Sequence, residues 1–201
     1  MNSLTLSKRP ENALPERVTV DGADYPIHAD FRTVLKIFRL MGDFELEDRH
    51  KYLKLLELFY VDAVPPFQQG VEAFFEFIRA PERKSDPEAA HIDYEFDADA
   101  IYASFFMQYR IDLLNPEIQL HWYAFTALLN GLDEDTPLCK RLYFRALDTK
   151  KFKGKAKRSA EIAKANAQIP QKLNPMEQSR QSALEDALMN GGDVSAIINR
   201  E

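Results

Sequence analysis

The sequence predicts an all-α protein, a multi-helix bundle of about seven helices with one small β-hairpin near its N-terminus. Three observations predict it. From Asp30 onward, apolar side chains recur at three- and four-residue spacing, the period of a helix with one buried face. Glycines, prolines and capping residues cut that pattern into segments of ordinary helix length. Strand-like character is confined to residues 18–27, where Asp21-Gly22 falls between two short β-forming runs. An Asp-Gly pair suits a tight hairpin turn, whose two central residues both need positive φ. Pro26, which has no N–H to donate, is expected on an unpaired edge.

The helices follow in order. Asp30 is a candidate N-cap for a first helix with Phe31, Val34, Leu35 and Phe38 inward and Gly42 as its stop. The acidic stretch from Asp43 to Asp48 leads into a second, carrying Tyr52, Leu55, Leu56, Phe59 and Tyr60 and expected to end at Pro65-Pro66. Val71, Phe74, Phe75 and Ile78 mark a third. Residues 81–95, polar and holding two prolines, read as a mobile connection. Asp97 caps a fourth helix through Ile101, Phe105, Phe106 and Tyr109. Pro116 opens a fifth with Ile118, Trp122, Phe125, Leu128 and Leu129, closed by Gly131. Thr136-Pro137 opens a sixth with Leu138 and Leu142. Residues 155–168 are rich in alanine, which favours helix while burying little area, and Pro170 ends them. Asn174-Pro175 starts a last helix through Leu188.

Three regions emerge: a flexible lead-in over 1–17, a helical core domain with the hairpin over 18–149, and a basic helical C-terminal extension over 150–201. Residues 150–180 hold nine basic and two acidic side chains, a balance of +7. The net charge is −6, so the remaining residues carry −13. An acidic body is a poor binder of polyanions. At 201 residues, about 70% of the unfolded surface can be buried, enough for a core without covalent staples. The single cysteine, Cys139, excludes an internal disulfide framework and a multi-cysteine zinc site. No apolar run approaches the ~18–20 residues of a membrane span, and the first residues lack the apolar core of a signal peptide.

Several chemistries have no matching motif. The seven glycines form neither G-x-G-x-x-G nor a phosphate-binding G-x-x-x-x-G-K-[ST], and G-x-S-x-G does not occur. Asp93, Glu95, Asp97 and Asp99 alternate like calcium ligands, but Ala98 stands where such a loop needs glycine and Ser104 where it needs a bidentate glutamate. These acids are expected to complement the dipole of the fourth helix. His28, His50, His91 and His121 share no metal-binding spacing. Cys139 reads as a buried structural thiol. No cofactor, metal or catalytic set is expected, and the chain is not expected to be an enzyme.

The aromatic content points elsewhere. Phe74-Phe75-Glu76-Phe77, Phe105-Phe106 and Trp122-Tyr123 place rings on neighbouring positions, which differ by about 100° around a helix. Not all of them can face one core. Phe77, Tyr102, Trp122 and Tyr123 are the candidates for an apolar patch that meets a partner. Lys151, Lys153, Lys155, Lys157 and Arg158 form a basic strip with the same candidate role. Nucleic acid is not the expected partner of that strip, and a solvated face or contact with an acidic surface of this or another copy is.

The same residues resemble a known family. Ile27-His28-Ala29-Asp30-Phe31-Arg32 leads into a helix. Phe96-Asp97-Ala98-Asp99-Ala100-Ile101-Tyr102-Ala103-Ser104-Phe105 is followed by Gln108-Tyr109. Leu120-His121-Trp122 precedes Leu129-x-Gly131-Leu132-x-Glu134-Asp135-Thr136, and Tyr143-x-Arg145-x-Leu147-Asp148 closes the set. Together these are similar to the bacteriophage gene-product-fifteen family, encoded in tail modules of siphophages and Gram-positive prophages, over about residues 18–170. The resemblance implies a tail assembly chaperone in the host cytoplasm, which coats the helical tape measure protein until tube subunits polymerise around it. It implies the tape measure protein as partner, with the tail tube protein and further copies of the chain as additional candidates, and no membrane. A tail-completion or connector component of the virion is the alternative, ahead of a nucleic-acid-binding regulator acting through 150–180. The family supplies no catalytic residues.

Overall fold

A computed structural model describes residues 14–79 and 91–170. The start of the expected lead-in, most of the connection after the third helix and the last helix from Asn174 lie outside the described residues. The hairpin pairs β1 (Arg17–Val20) with β2 (Ala23–Pro26), Arg17 facing Pro26 and Val20 facing Ala23. Asp21 and Gly22 sit at φ of 49° and 80°, the two positive values that the turn needs. Pro26 is not on an open edge, contrary to expectation. Its carbonyl accepts from the Val61 N–H at 3.1 Å, and the His28 N–H donates to the Phe59 carbonyl at 2.7 Å. The chain after the second helix covers that side of the hairpin.

Seven helices follow among the described residues: α1 (Phe31–Met41), α2 (Asp48–Phe59), α3 (Phe67–Ile78), α4 (Ala98–Tyr109), α5 (Trp122–Asn130), α6 (Pro137–Ala146) and α7 (Gly154–Ala167). A single 3-10 turn, Thr149–Lys151, precedes α7. Asp30 caps α1 by accepting from the Arg32 N–H, and Gly42 closes it. The helix α2 ends before Pro65-Pro66, because Tyr60 turns extended and bridges Ile27; Pro66 instead sits at the N-cap of α3. The helix α5 begins at Trp122 rather than Pro116, since the backbone at Leu120–Trp122 is bonded to Ala29–Phe31 and cannot be helical there. Residues 93–97 form a turn in which Asp93 accepts from the Glu95 and Phe96 N–H groups, so the second part of the expected mobile connection is bonded in place.

Two linked groups of rings fill the interior. Phe125 stacks on Phe31 at 4.7 Å, on Phe105 at 5.2 Å and on Trp122 at 5.8 Å. Phe59 meets Phe74 at 5.0 Å and Phe77 at 5.3 Å, and Phe77 stacks on Tyr123 at 5.0 Å. Trp122 and Tyr123, adjacent at the start of α5, join the two groups. Gly70 lets α3 close on α2: a Cβ there would lie 2.9 Å from Leu56 Cδ2 and from Pro65 Cγ. The helix α7 packs on α6 with alanines, Ala160 and Ala167 being its buried residues.

Adjacent residues of α4 test this partition. Phe105 is fully buried and Phe106 is 47% exposed. Phe105→Ala is expected to lower the unfolding free energy by about 3–5 kcal/mol, and Phe106→Ala by about 0.5 kcal/mol or less. Urea denaturation of both variants checks the contrast.

Candidate interaction surfaces

A seam joins the start of α1 to the start of α5. The Phe31 N–H donates to the Leu120 carbonyl at 2.9 Å, and the Trp122 N–H donates to the Ala29 carbonyl at 2.7 Å. One carboxylate oxygen of Asp30 takes the Arg32 N–H, and the other takes the Leu120 N–H at 3.1 Å. Arg32 gathers the irregular segment before α5 by donating to the carbonyls of Leu113, Asn115 and Ile118 at 2.8–3.0 Å. Its guanidinium lies 4.7 Å from the centre of the Phe31 ring. His121 caps α5: its Nδ1 accepts from the Tyr123 N–H at 3.0 Å. The ring proton must then sit on Nε2, which donates to the Pro15 carbonyl at 3.0 Å. Burial holds the imidazole below its usual value near 6.5, against the opposing pull of the Pro15 carbonyl and of Glu16 and Asp30.

A second node lies where α4, α6 and α7 meet. Asp97 is fully buried and stands at the N-cap position of α4 as expected, but its carboxylate is used elsewhere. Its side chain makes no cap bond to α4 and takes the Asp93 N–H instead. It forms a two-point ion pair with Arg145, at 2.8 and 3.0 Å. Arg145 also donates to the carbonyls of His91 and Ala167, which ties the 91–97 turn and the end of α7 to α6. Arg141 grips Asp99 with two nitrogens at 2.7 and 2.8 Å, and holds the Asp99 carboxyl below the usual range. Cys139 is half-buried rather than buried, its thiol 3.6 Å from the Leu132 carbonyl.

The rings chosen from the sequence are mostly interior. Phe77 is fully buried, and Trp122 and Tyr123 are 4% and 7% exposed. The Tyr123 hydroxyl donates to the Phe77 carbonyl at 2.7 Å, and burial pushes its pKa up. These three cannot form an outward patch: α3 buries Phe77 along with the expected Phe74 and leaves Phe75 outside, and α5 buries Trp122 and Tyr123 at its start. Tyr102 alone of the four reaches the surface, half-buried and stacked on exposed Phe106 at 6.2 Å.

Other rings carry the exposed apolar surface. Phe67 and Phe75 are 45% and 41% exposed, with Val71 half-buried between them. Spaced at i, i+4 and i+8, they run along one side of α3, and Tyr52 of α2 meets Phe67 edge-on at 6.4 Å. The helix α4 offers Tyr102, Phe106 and Met107, and α6 offers Tyr143 and Phe144. The signal in the sequence was the width of the apolar arc on α3, which exceeds what one neighbouring surface covers. The basic strip is where it was expected: Lys151, Lys153, Lys155, Lys157 and Arg158 are all exposed. Lys157 pairs with Glu161 along the helix at 3.7 Å.

Among the described residues, no three His, Cys, Asp or Glu side chains are placed to hold a metal, and no helix is long and apolar enough to cross a membrane. The outside of the described helical body carries exposed rings and charges. The chain belongs to the Bacteriophage Gp15 protein family, whose model matches residues 11–169. The match takes in every motif that carried the resemblance, and it makes the protein phage-encoded. No curated protein and no solved structure matches the chain.

Two predictions follow from the two nodes. Asp97→Leu or Arg145→Met alone is expected to cost about 3–5 kcal/mol, and the two together less than the sum, measured as a double-mutant cycle in urea. His121 folds neutral with its pKa lowered, so unfolding it takes up a proton on mild acidification. Its contribution is complete above about pH 6.5 and is lost as pH falls toward the folded value. His121→Asn, which keeps a capping oxygen, is expected to flatten that part of the stability profile below about pH 6.5.

Proposed function

We propose that this chain is a non-enzymatic tail assembly chaperone that binds the tape measure protein in the host cytoplasm before the tail tube polymerises. Family membership supports a role in phage structure or assembly. The observation that carries the finer reading is the apolar stripe of Phe67, Val71 and Phe75, flanked by Tyr52. A long helical partner has an apolar stripe of its own at three- and four-residue spacing. Apolar side chains at i, i+4 and i+8 on a second helix, two of them rings, match that spacing and cover it. An acidic body keeps such a complex dispersed. The rings are half-exposed rather than pocketed, so each contact is modest and the partner can be released to the tube subunits.

Co-expression with the tape measure protein from the same tail module tests the proposal. The expected result is a soluble complex that co-elutes on gel filtration. Phe67→Ser with Phe75→Ser is expected to weaken it by about tenfold or more while leaving the helical circular dichroism unchanged. Mass spectrometry of purified virions is expected to find no copy of the chain. An insoluble tape measure protein with no complex, or a stoichiometric chain in the virion, overturns the reading.

A further inference from the structure

Two exposed patches of opposite charge have no role so far. The first is the elbow between α1 and α2. Asp43, Glu45, Glu47 and Asp48 fall within six residues that contain no base, and all are exposed. The bonds these acids make are local: Asp43 accepts from the Glu45 N–H, Glu47 meets His50 at 3.3 Å, and Asp48 meets Lys51 at 3.2 Å. From their midst Phe44 projects into solvent, 57% exposed.

The second patch is the strip that runs from the 3-10 turn into α7. Residues 150–158 hold six cations and no acid. Gly154, at φ 58°, turns the chain from one segment into the other. The cations cluster at the start of α7, whose first turn has no acid and whose N-cap residue, Lys153, makes no side-chain cap bond. A helix N-terminus is its positive end, so the chain places positive charge where its own dipole opposes it. An anionic surface from outside relieves that repulsion. Ile162, 55% exposed, lies one turn beyond Arg158 on the same face as Lys155.

We infer that the acidic elbow of one copy docks on the basic face of α7 of a second copy, with Phe44 seated beside Ile162. Charge complementarity favours a second copy over a polyanion. Outside residues 150–180 the chain carries −13, which repels a nucleic acid approaching the strip and supplies the elbow at equal concentration. A phosphate backbone also offers nothing to Ile162, whereas Phe44 offers a ring. The two patches differ, so every copy presents one of each and association runs head to tail, into rings or open chains. This inference stands apart from the chaperone reading and is tested on the chain alone.

Sedimentation velocity over a concentration series, at about 0.05 M and about 0.5 M salt, reads it directly. At low salt the mean mass is expected to rise with concentration, and at high salt to return to that of one chain. Glu45→Lys with Glu47→Lys, and separately Lys155→Glu with Arg158→Glu, are each expected to weaken association by about tenfold or more. Mixing the two variants is expected to restore it, because each then presents the charge that the other lacks, a rescue that misfolded chains cannot give. The neutral pair Lys155→Gln with Arg158→Gln is expected to fall between. A wild-type chain that stays monomeric at low salt overturns the inference. So does association insensitive to either reversal, a mixture that stays monomeric with helical content intact, or a strip variant that loses affinity for duplex DNA while self-association persists.

Discussion

The seam between Ala29–Arg32 and Leu120–Trp122 is the constraint on which the rest depends. Two backbone hydrogen bonds and the Asp30 carboxylate set the start of α1 against the start of α5. Once they meet, Phe31 lies flat on Phe125, and Trp122 and Tyr123 reach into both groups of core rings. Arg32 and His121 extend the same seam outward. The first holds the irregular segment before α5 by its carbonyls, and the second reaches the chain ahead of β1. The buried polar groups are all satisfied: among the described residues, no buried side-chain nitrogen or oxygen lacks a hydrogen-bond partner. A half-satisfied network of this kind would cost more than an apolar core.

The motifs that carry the family resemblance turn out to be one another's partners. Asp30-Phe31-Arg32 meets Leu120-His121-Trp122. Asp97 meets Arg145 at 2.8 Å. Gln108 donates to the Gly131 carbonyl and accepts from the Asp133 N–H, which fixes the turn between α5 and α6. Ser104 donates to the Ala100 carbonyl and accepts from the Leu138 N–H, which sets α6 on α4. Such pairs are directional and demand particular side chains, whereas apolar core positions accept any residue of suitable volume. That is a physical reason for the pattern to be recognisable.

Much of the fold was legible in the residues. The Asp21-Gly22 turn, the Asp30 cap, the Gly42 and Gly131 stops and the alanine-rich α7 follow from local stereochemistry, and the structure has them all. The failures share one cause: a distant partner overrode a local signal. Pro116 looks like a helix start, but Arg32 and Asp30 claim the backbone that follows. Asp97 looks like a cap, but Arg145 claims its carboxylate. On α3, Phe74, Phe75 and Phe77 are equally apolar, and the choice of inner face rests on how closely Gly70 lets α2 approach. The surface was therefore harder to read than the core. Three of the four rings assigned to it are inside, while the basic strip, a matter of charge alone, is outside as its composition implies.

The Asp30–Leu120 bond joins residues 90 positions apart. During synthesis the hairpin and α1 leave the ribosome long before α5 exists. Throughout that interval Phe31 and its neighbours have no lid, and a nascent chain in this state is open to capture or aggregation. The seam itself can close only once Leu120–Trp122 has been made.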